Sequence, residues 1–483
     1  MIELTAPNLW EVLDRACNTG QIMAVKEFDM KIFNVASRLA KEYDIKYDPE
    51  TPVPNDDSLA DDAWKAGLQL FREVGAYCIN SRRVIEFDES EIKDGLREIR
   101  GEAVIGEGSE RRVVNLRSVE DKRPPSIVCG GVIESNFPEG ELFVKLYQSI
   151  AQEPIIDGFY VGPPLQSSEG RLVRSGTPLE AHLGRSMVSW VREAIRRAGR
   201  PGMHFISACT SAIANVVACD PYEGLRRSDG IVSTIMPELK TDYENLTKVV
   251  CCHDYGCIKH VYNGGMIGGW AGGPEGALIV SIANAIMAVM VYKIGIGASY
   301  HALGYLRASS PNYSAFVTRP CVWGSAIGSQ ALSRNTNIIN TAVAMTNAGP
   351  GTEMQFQEVV AALCAAIPCG REGLSEGVRR FKVVPLLGSG LENRFWGEVG
   401  HAMAGVKRDF ANSLADEMLS RYENKITRDT EGGPLGHTFD EIYDLNTLTP
   451  RKKFLEVYGK VKKELEDLGL EFSHAHKKEK QIE

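Results

Sequence analysis

Residues 251 to 260 hold the densest group of side chains that could do chemistry in this chain: three thiols and two imidazoles within ten positions. Zn²⁺ binds thiolate and neutral imidazole, and a bound zinc ion could activate a thiolate acceptor. The spacing matches no established zinc pattern, so scattered reduced cysteines are the simpler interpretation. The zinc alternative would use the ligand set Cys252, His253, Cys257 and His260.

A second group lies in the segment from His204 to Cys209, which has the apolar character of a buried strand. In parallel α/β barrels, reactive side chains come from the carboxyl ends of strands and from the loops that follow them. This segment is therefore one of the places to search for a site, with His204 as a candidate catalytic residue. The simpler interpretation is that His204 and Cys209 are ordinary core residues.

The run from Tyr262 to Gly273 contains six glycines. Glycine permits positive φ and close backbone approach, which suits a loop packed against a ligand or a neighbouring subunit. The phosphate-binding pattern Gly-x-x-x-x-Gly-Lys-Ser/Thr is absent from the chain. We therefore expect this run, with Tyr262, Asn263 and Trp270, to pack against a ligand or a neighbouring subunit.

The composition is that of a globular protein with a sizeable core: 483 residues, 43% hydrophobic, 24% charged, net charge −9. The acidic balance argues against a nucleic-acid partner, which would require clustered lysine and arginine. The first residues lack the basic and apolar regions of an export signal, so we expect a cytoplasmic protein. The eleven cysteines favour reduced thiols over a disulfide framework. The apolar run Ala277–Tyr292 is shorter than the roughly 20 residues of a membrane-spanning helix, so we expect it to be buried.

Apolar periodicity predicts helices at both ends of the chain. Residues 104–125 are predicted to form a hairpin or irregular structure. The helical stripes are Ile32, Ala36, Leu39, Ala40 and Tyr43; then Ala63, Ala66, Leu70 and Val74; and near the C-terminus Phe454, Val457, Tyr458, Val461, Leu465 and Leu468, closed by Gly469.

From about residue 126, short apolar runs alternate with longer helical patterns, which is typical of βαβ units. Their number and a span of about 270 residues favour a closed α/β barrel, the (β/α)8 TIM barrel, over an open sheet. We predict an N-terminal helical cap over 1–125, the barrel over 126–400, C-terminal helices over 401–472 and a charged tail over 473–483. The predicted strands are Ser126–Val132, Ile155–Val161, His204–Ala208, Ile231–Ile235, Val249–Cys252, Thr341–Met345 and Phe381–Leu387.

Three segments together resemble a known family. They are Ala198-Gly199-Arg200-Pro201-Gly202-Met203-His204-Phe205-Ile206-Ser207, Ala348-Gly349-Pro350-Gly351-Thr352-Glu353-Met354 and Lys463-Glu464-Leu465-Glu466-Asp467-Leu468-Gly469-Leu470-Glu471-Phe472. The chain is similar in these segments to the archaeal monomethylamine:corrinoid methyltransferases, and the resemblance extends over about residues 50 to 472. The resemblance implies the same barrel.

In that family the third residue after the Gly-Met pair is pyrrolysine, whose electrophilic ring holds the amine. Here Ile206 stands at that position. Ungapped matches carry a family glutamate onto Tyr262, and a glutamine and a tyrosine onto Val343 and Met345. A further family glutamate falls at Ile231 or Val232, where the match needs a one-residue shift. The resemblance implies a pocket that has become apolar and aromatic, which would suit a quaternary ammonium or thioether donor, since a cation over an aromatic face gains about 0.5–2 kcal/mol.

The implied function is transfer of a methyl group from a small methylated amine, which need not be monomethylamine, to Co(I) of a corrinoid protein, as in methanogenesis. The chain lacks the corrinoid lower-ligand pattern Asp-x-His-x-x-Gly, so we expect the corrinoid on a partner and no cofactor or metal on this chain. The family also implies a homo-oligomer, a hexamer. Two alternatives stay open: a zinc-dependent methyltransferase, and a non-catalytic paralogue that only docks a corrinoid protein. The residues proposed as catalytic are His204, Tyr262 and Met345, and those proposed to bind substrate are Ile206, Val232, Asn263, Trp270 and Val343.

Overall fold

The computed structural model describes residues 6–130, 137–162, 165–207, 211–294, 296–303, 316–343, 345–375, 388–426 and 433–472. Its centre is one sheet of eight parallel strands whose neighbours follow one another in chain order. The last strand contacts the first, which closes the sheet. The strands are β1 Val128–Cys129, β2 Gly158–Val161, β3 His204–Ser207, β4 Gly230–Thr234, β5 Ile258–Ile267, β6 Ile296–Leu303, β7 Ile339–Val343 and β8 Leu374–Ser375.

A helix follows each strand, so the structure confirms the predicted (β/α)8 barrel. Several helix starts carry sequence signals: proline occupies the first turn of the second, fifth and sixth helices, and Asp242 accepts the backbone N–H of Asn245 at the start of the fourth. The helices are α1 Glu141–Ala151, α2 Pro178–Arg197, α3 Ala212–Ala218, α4 Tyr243–Tyr255, α5 Pro274–Tyr292, α6 Arg319–Asn335, α7 Glu353–Cys364 and α8 Gly390–Ala402.

Five predicted strands coincide with β1 to β4 and β7, but the strand predicted at Val249–Cys252 is wrong. These residues lie in α4, where the Asp242 cap and the left-handed Gly256 at the C-terminus define a helix around the apolar run. The segment Phe381–Leu387 lies outside the described residues. Strands β5, β6 and β8 were missed. Glycines and polar residues interrupt the apolar pattern of β5 and β6, and β8 is two residues long.

A β-hairpin closes the N-terminal end of the barrel. Its strands, Glu102–Ile105 and Arg112–Asn115, pair antiparallel, and Ile105 and Val114 pack inside the barrel. The backbone N–H of Glu107 donates to the Gly202 carbonyl at 2.8 Å. Because Gly202 shortly precedes β3, the hairpin plugs the end opposite the carboxyl ends of the strands.

The N-terminal helices cover α5, which explains why α5 is apolar on every side. Among the described residues, α5 is the one helix long and apolar enough to cross a membrane, but 94% of its apolar window is buried inside the protein. A methyl group added to Gly67 would meet Ile282 Cγ2 at 2.4 Å, so the two layers are in direct contact. The N-terminal helices are Leu9–Asp14, Val25–Glu42, Asp57–Val74 and Glu89–Arg97.

Within the described residues, three α-helices follow the barrel: Arg408–Tyr422, Phe439–Ile442 and Lys452–Asp467. The last buries Phe454, Tyr458, Val461 and Leu465 on one face, as the periodicity predicts. Gly469 follows it with φ of 97°, a left-handed conformation that ends the helix. The predicted tail 473–483 lies outside the described residues, and the predicted domain limits stay predictions.

Candidate functional site

The interior of the barrel is lined by alternate residues of the strands. Tyr160, Ile206 and Val232 belong to one buried interior cluster together with Val128, Ile296 and Ile339. Their neighbours along each strand, such as Phe205 and Ile231, belong instead to the core between sheet and helices. This alternation places the fully buried side chain of Ile206 inside the barrel.

Tyr160 of this cluster contacts a second tyrosine, Tyr262, that packs against the cluster. The rings of Tyr160 and Tyr262 are 5.3 Å apart between centroids and tilted by 33°. Tyr262 pairs in register with Thr234, two residues beyond the Val232–His260 pair, so it lies closer to the carboxyl ends of the strands. Tyr262 is half-buried, whereas Tyr160 is buried. The pair therefore forms an aromatic wall that rises from Ile206 toward the mouth of the barrel.

Below the tyrosines lie two imidazoles, His204 and His260, with ring centroids 5.6 Å apart. His204 Nδ1 is 2.7 Å from the Ser228 carbonyl oxygen, so this nitrogen carries the proton and donates it. Burial lowers the pKa of His204 to about 4. Burial and the neighbouring His204 lower the pKa of His260 well below its ordinary value. Both rings are therefore neutral near pH 7.

The imidazole pair lies at the base of the site rather than at its mouth. His204 is the first residue of β3, close to the hairpin plug. Gly158 and Gly230 provide the space for the rings: a methyl group on Gly230 would meet His260 Cδ2 at 2.5 Å, and one on Gly158 would meet His204 Cδ2 at 3.1 Å. The predicted catalytic His204 thus faces the interior, but beneath Ile206.

The other predicted pocket residues fall in different places. Met345 is buried two residues beyond the end of β7, where barrel enzymes place functional groups. Val343 ends β7, and its side chain lies outside the described part of the chain. Asn263 shares the face of Val261, which packs toward the outer helices, so the strand does not direct it toward Tyr262. Trp270 lies in the turn after β5 with 41% of its surface exposed.

The structure does not bring the four predicted zinc ligands together. Cys252 packs in the core outside the barrel wall, whereas His260 lies inside it. His253 contacts the edge of Trp10, with ring centroids 5.7 Å apart. Over the described ranges, no group of three or more His, Cys, Asp or Glu side chains is placed to hold a metal ion.

Sequence reasoning missed Glu238, a buried carboxylate just beyond β4. Its Oε1 accepts the backbone N–H of Met266 at 3.1 Å, which ties the segment after β4 to the glycine-rich run after β5. Burial raises the pKa of Glu238 to about 7. The available signal was an acidic residue shortly after a predicted strand. The contribution of Tyr160 had no comparable signal, because it requires the register between β2 and β3.

Two of the sequence signatures serve architecture. A methyl group on Gly202 would meet the Glu107 carbonyl oxygen at 2.2 Å, so this glycine allows the hairpin plug to approach β3. A methyl group on Gly349 would meet the Leu435 carbonyl oxygen at 1.8 Å. The Glu358 carboxylate accepts the backbone N–H of Asn347 at 2.7 Å and holds the same turn. These motifs therefore report the fold more than the chemistry.

The closed barrel and its inward-facing aromatic and apolar side chains define a (β/α)8 barrel protein with its site inside the strand ends. A family model described as monomethylamine methyltransferase MtmB matches residues 8–470. The monomethylamine methyltransferase MtmB1 of Methanosarcina barkeri is 32% identical over 469 residues, 96% of this chain and 98% of the relative. MtmB of Methanosarcina mazei is 32% identical over the same length.

Solved structures agree with the sequence comparison. The crystal structure of the Methanosarcina barkeri enzyme superposes with a TM-score of 0.88 at 28% identity and covers 98% of this chain and 100% of that one. A hydroxylamine complex of MtmB gives the same values. This chain belongs to the monomethylamine methyltransferase family, and it is a methyltransferase.

Proposed function

We propose that this protein moves a methyl group from a small methylated amine to the cobalt of a corrinoid carried by a partner protein, without pyrrolysine. Membership of a monomethylamine methyltransferase family supports an amine as methyl donor. The corrinoid partner and a homo-oligomer, a hexamer, rest on the resemblance of the sequence, and a cytoplasmic location is part of the same proposal. The chain itself needs no resident cofactor in this proposal.

The observation that carries the proposal is the inward direction of Ile206. Its aliphatic side chain lies in the barrel interior, at the position that the resemblance assigns to an electrophilic residue. An alkyl group cannot form an adduct with an amine, so the donor must be held by shape and by aromatic faces. The Tyr160–Tyr262 pair offers such faces, each of which attracts a cation by about 0.5–2 kcal/mol.

The transfer breaks the bond between the methyl carbon and the nitrogen and forms a bond between the methyl carbon and cobalt. The nitrogen leaves with the bonding pair, so an ammonium donor departs as a neutral amine. The chain's task is to fix the nitrogen with the methyl group directed at the mouth, in line with the acceptor. A quaternary ammonium meets this requirement, because aromatic faces bind it without any lone pair on nitrogen.

The test combines the purified protein with a corrinoid protein reduced to Co(I) and with mono-, di-, tri- or tetramethylammonium. Methylation of cobalt is followed by absorbance. We expect transfer from at least one donor, and we expect Tyr262→Leu to lower it by about 2- to 30-fold, the loss of one cation–π contact. Tyr262→Phe is the matched control, because a phenyl ring keeps the aromatic face.

Two results would contradict the proposal. The first is stable binding of the corrinoid protein with no transfer from any of the four donors, which would favour the paralogue that only docks. The second is equal activity of the leucine and phenylalanine variants, which would show that the aromatic face of Tyr262 does not contribute to the transfer.

A further inference from the structure

Four thiols lie outside the barrel wall, remote from the interior site. Cys219 is the residue that ends α3, and Cys251 lies in α4; their sulfur atoms are 3.6 Å apart. Cys257 is within hydrogen-bonding reach of Cys219, and Cys252 of Cys257. The proposed methyl transfer uses none of these groups, so their convergence requires a separate explanation.

Cys219 and Cys251 differ from the other two in access to solvent. Both are partly exposed, whereas Cys252 and Cys257 are buried. A disulfide requires the sulfur atoms to approach to about 2.05 Å. Cys219 follows the last residue of α3 and has an extended backbone, so its side chain is not held within a helical turn. The pair is therefore both accessible and close enough to react.

We propose that Cys219 and Cys251 form a reversible disulfide, with a low-molecular-weight disulfide as oxidant. The Cys219 thiolate attacks one sulfur of the oxidant, whose S–S bond breaks and releases one small thiol. The Cys251 thiolate then attacks the Cys219 sulfur and releases the second small thiol. The two protons from the protein thiols go to the leaving thiolates, so the protein loses two hydrogens and the oxidant gains two.

Hydrogen bonds and burial around the two thiols set the order of attack and the pH dependence. The hydrogen bond with Cys251 lowers the pKa of the Cys219 thiol. The contact of Cys219 with Cys257 and its burial outweigh this effect and raise the pKa to about 12. The contact with Cys219 and burial raise the pKa of Cys251 well above its ordinary value. Since the thiolate is the nucleophile, the reaction accelerates as pH rises. The link therefore forms slowly near neutral pH.

The position of the pair predicts what the link changes. The C-terminal ends of α3 and α4 lie at the end of the barrel that the hairpin plugs, opposite the mouth. A bond there joins the segments that follow β3 and β4, the strands of Ile206 and Val232, without touching the Tyr160–Tyr262 wall. We expect the link to raise the melting temperature by a few degrees, because it constrains the unfolded chain.

The experiment incubates the full chain with oxidised glutathione between pH 7 and pH 9.5 and maps the cross-links by non-reducing peptide mass spectrometry. We expect a Cys219–Cys251 peptide that has lost two hydrogens, that forms faster at higher pH and that a dithiol reductant reverses. Cys219→Ser and Cys251→Ser should abolish it. Cys257→Ser is the matched control and should leave it intact, and the fully buried Cys364 and Cys369 should stay unmodified.

Three results would overturn the proposal: a Cys219–Cys257 cross-link in the wild-type chain, loss of the cross-link in Cys257→Ser, or single glutathione adducts that never resolve at pH 9.5. Mapping of the wild-type chain decides the question even where a serine variant fails to fold.

Discussion

Gly230 lies beside the ring of His260, and this contact shows how a residue without a side chain maintains the interior of the barrel. A methyl group at position 230 would lie 2.5 Å from His260 Cδ2 and 3.3 Å from Ile206 Cγ1. Gly230→Ala should therefore lower the free energy of unfolding by about 1–3 kcal/mol, since a packed interior resists extra volume. The measurement is the midpoint and slope of urea unfolding.

Gly459 provides the control for this substitution. It lies in the exposed part of the last helix, and nothing is within 4 Å of an added methyl group. Gly459→Ala should raise the free energy of unfolding by about 0.5–1 kcal/mol, the difference in helix propensity. Equal effects of the two substitutions would mean that the imidazole does not occupy the space beside Gly230.

Glu238 makes the stability of the protein depend on pH. Burial raises its pKa to about 7 in the folded state, compared with about 4.3 in an unfolded chain. The folded state therefore holds this proton more tightly, and stability is lost as pH rises from about 4 to about 7, on the order of 3 kcal/mol in all. Glu238→Gln keeps an acceptor for the Met266 N–H but cannot ionise.

We expect Glu238→Gln to be more stable than the wild-type chain at pH 8 and equally stable near pH 4. The measurement is thermal unfolding of both proteins across this range, with the exposed Glu50→Gln as control. A wild-type advantage at pH 8 would show that the ionised carboxylate strengthens the fold, contrary to the effect of burial.

At the residue scale, sequence alone identified the two residues that carry the functional proposal. Ile206 and Tyr262 follow from family motifs without any knowledge of packing. Tyr160 belongs to the site because it pairs in register with Ile206, and His260 belongs to it because its ring lies near that of His204. Such contacts join residues that are distant in the chain, so no local pattern contains them.

At the scale of elements, the hairpin plug packs into the barrel through one face, which carries Ile105 and Val114. Val113 and Val114 are neighbours in one strand of the plug, yet Val114 is 2% exposed and Val113 is 41% exposed. Val114→Ala removes contacts inside the barrel and should cost about 1–3 kcal/mol of unfolding free energy, whereas Val113→Ala should change it by less than about 0.5 kcal/mol.

Chemical denaturation of the two alanine variants tests this difference directly. Because both substitutions delete the same atoms from the same strand, differences in strand propensity cancel. If the two variants lose equal stability, the hairpin does not enter the barrel.

The helices that sequence patterns predicted correctly are those that bury one side. The helices Val25–Glu42 and Lys452–Asp467 each pack one stripe on a core, so their period is visible. Strand β5 instead carries a histidine and a tyrosine that face inward, and glycines that approach α5. These polar and small residues interrupt the apolar pattern from which a strand is predicted. The apolar run 249–252 has the length of a strand, and only its capped flanks identify a helix.

At the scale of the whole molecule, the barrel is covered by the two ends of the chain. The N-terminal helices enclose α5 in a shared core, and the C-terminal helices pack on the core around α7 and α8. Sequence periodicity predicted these helices but not which barrel helices they pack on, because packing between distant segments leaves no local signal. The N-terminal region is therefore part of the folding unit that supports the site.

This shared core predicts that damage in the N-terminal helices reaches the barrel. Gly67 packs against Ile282 of α5, and an added methyl group would lie 2.4 Å from Ile282 Cγ2. Gly67→Ala should accelerate amide hydrogen exchange on the order of tenfold in both Asp57–Val74 and α5, since overpacking of about 1–3 kcal/mol weakens both partners. Exchange is measured by mass spectrometry, with Gly459→Ala as control. Faster exchange confined to Asp57–Val74 would contradict the prediction, because it would mean that the N-terminal helices unfold independently of the barrel.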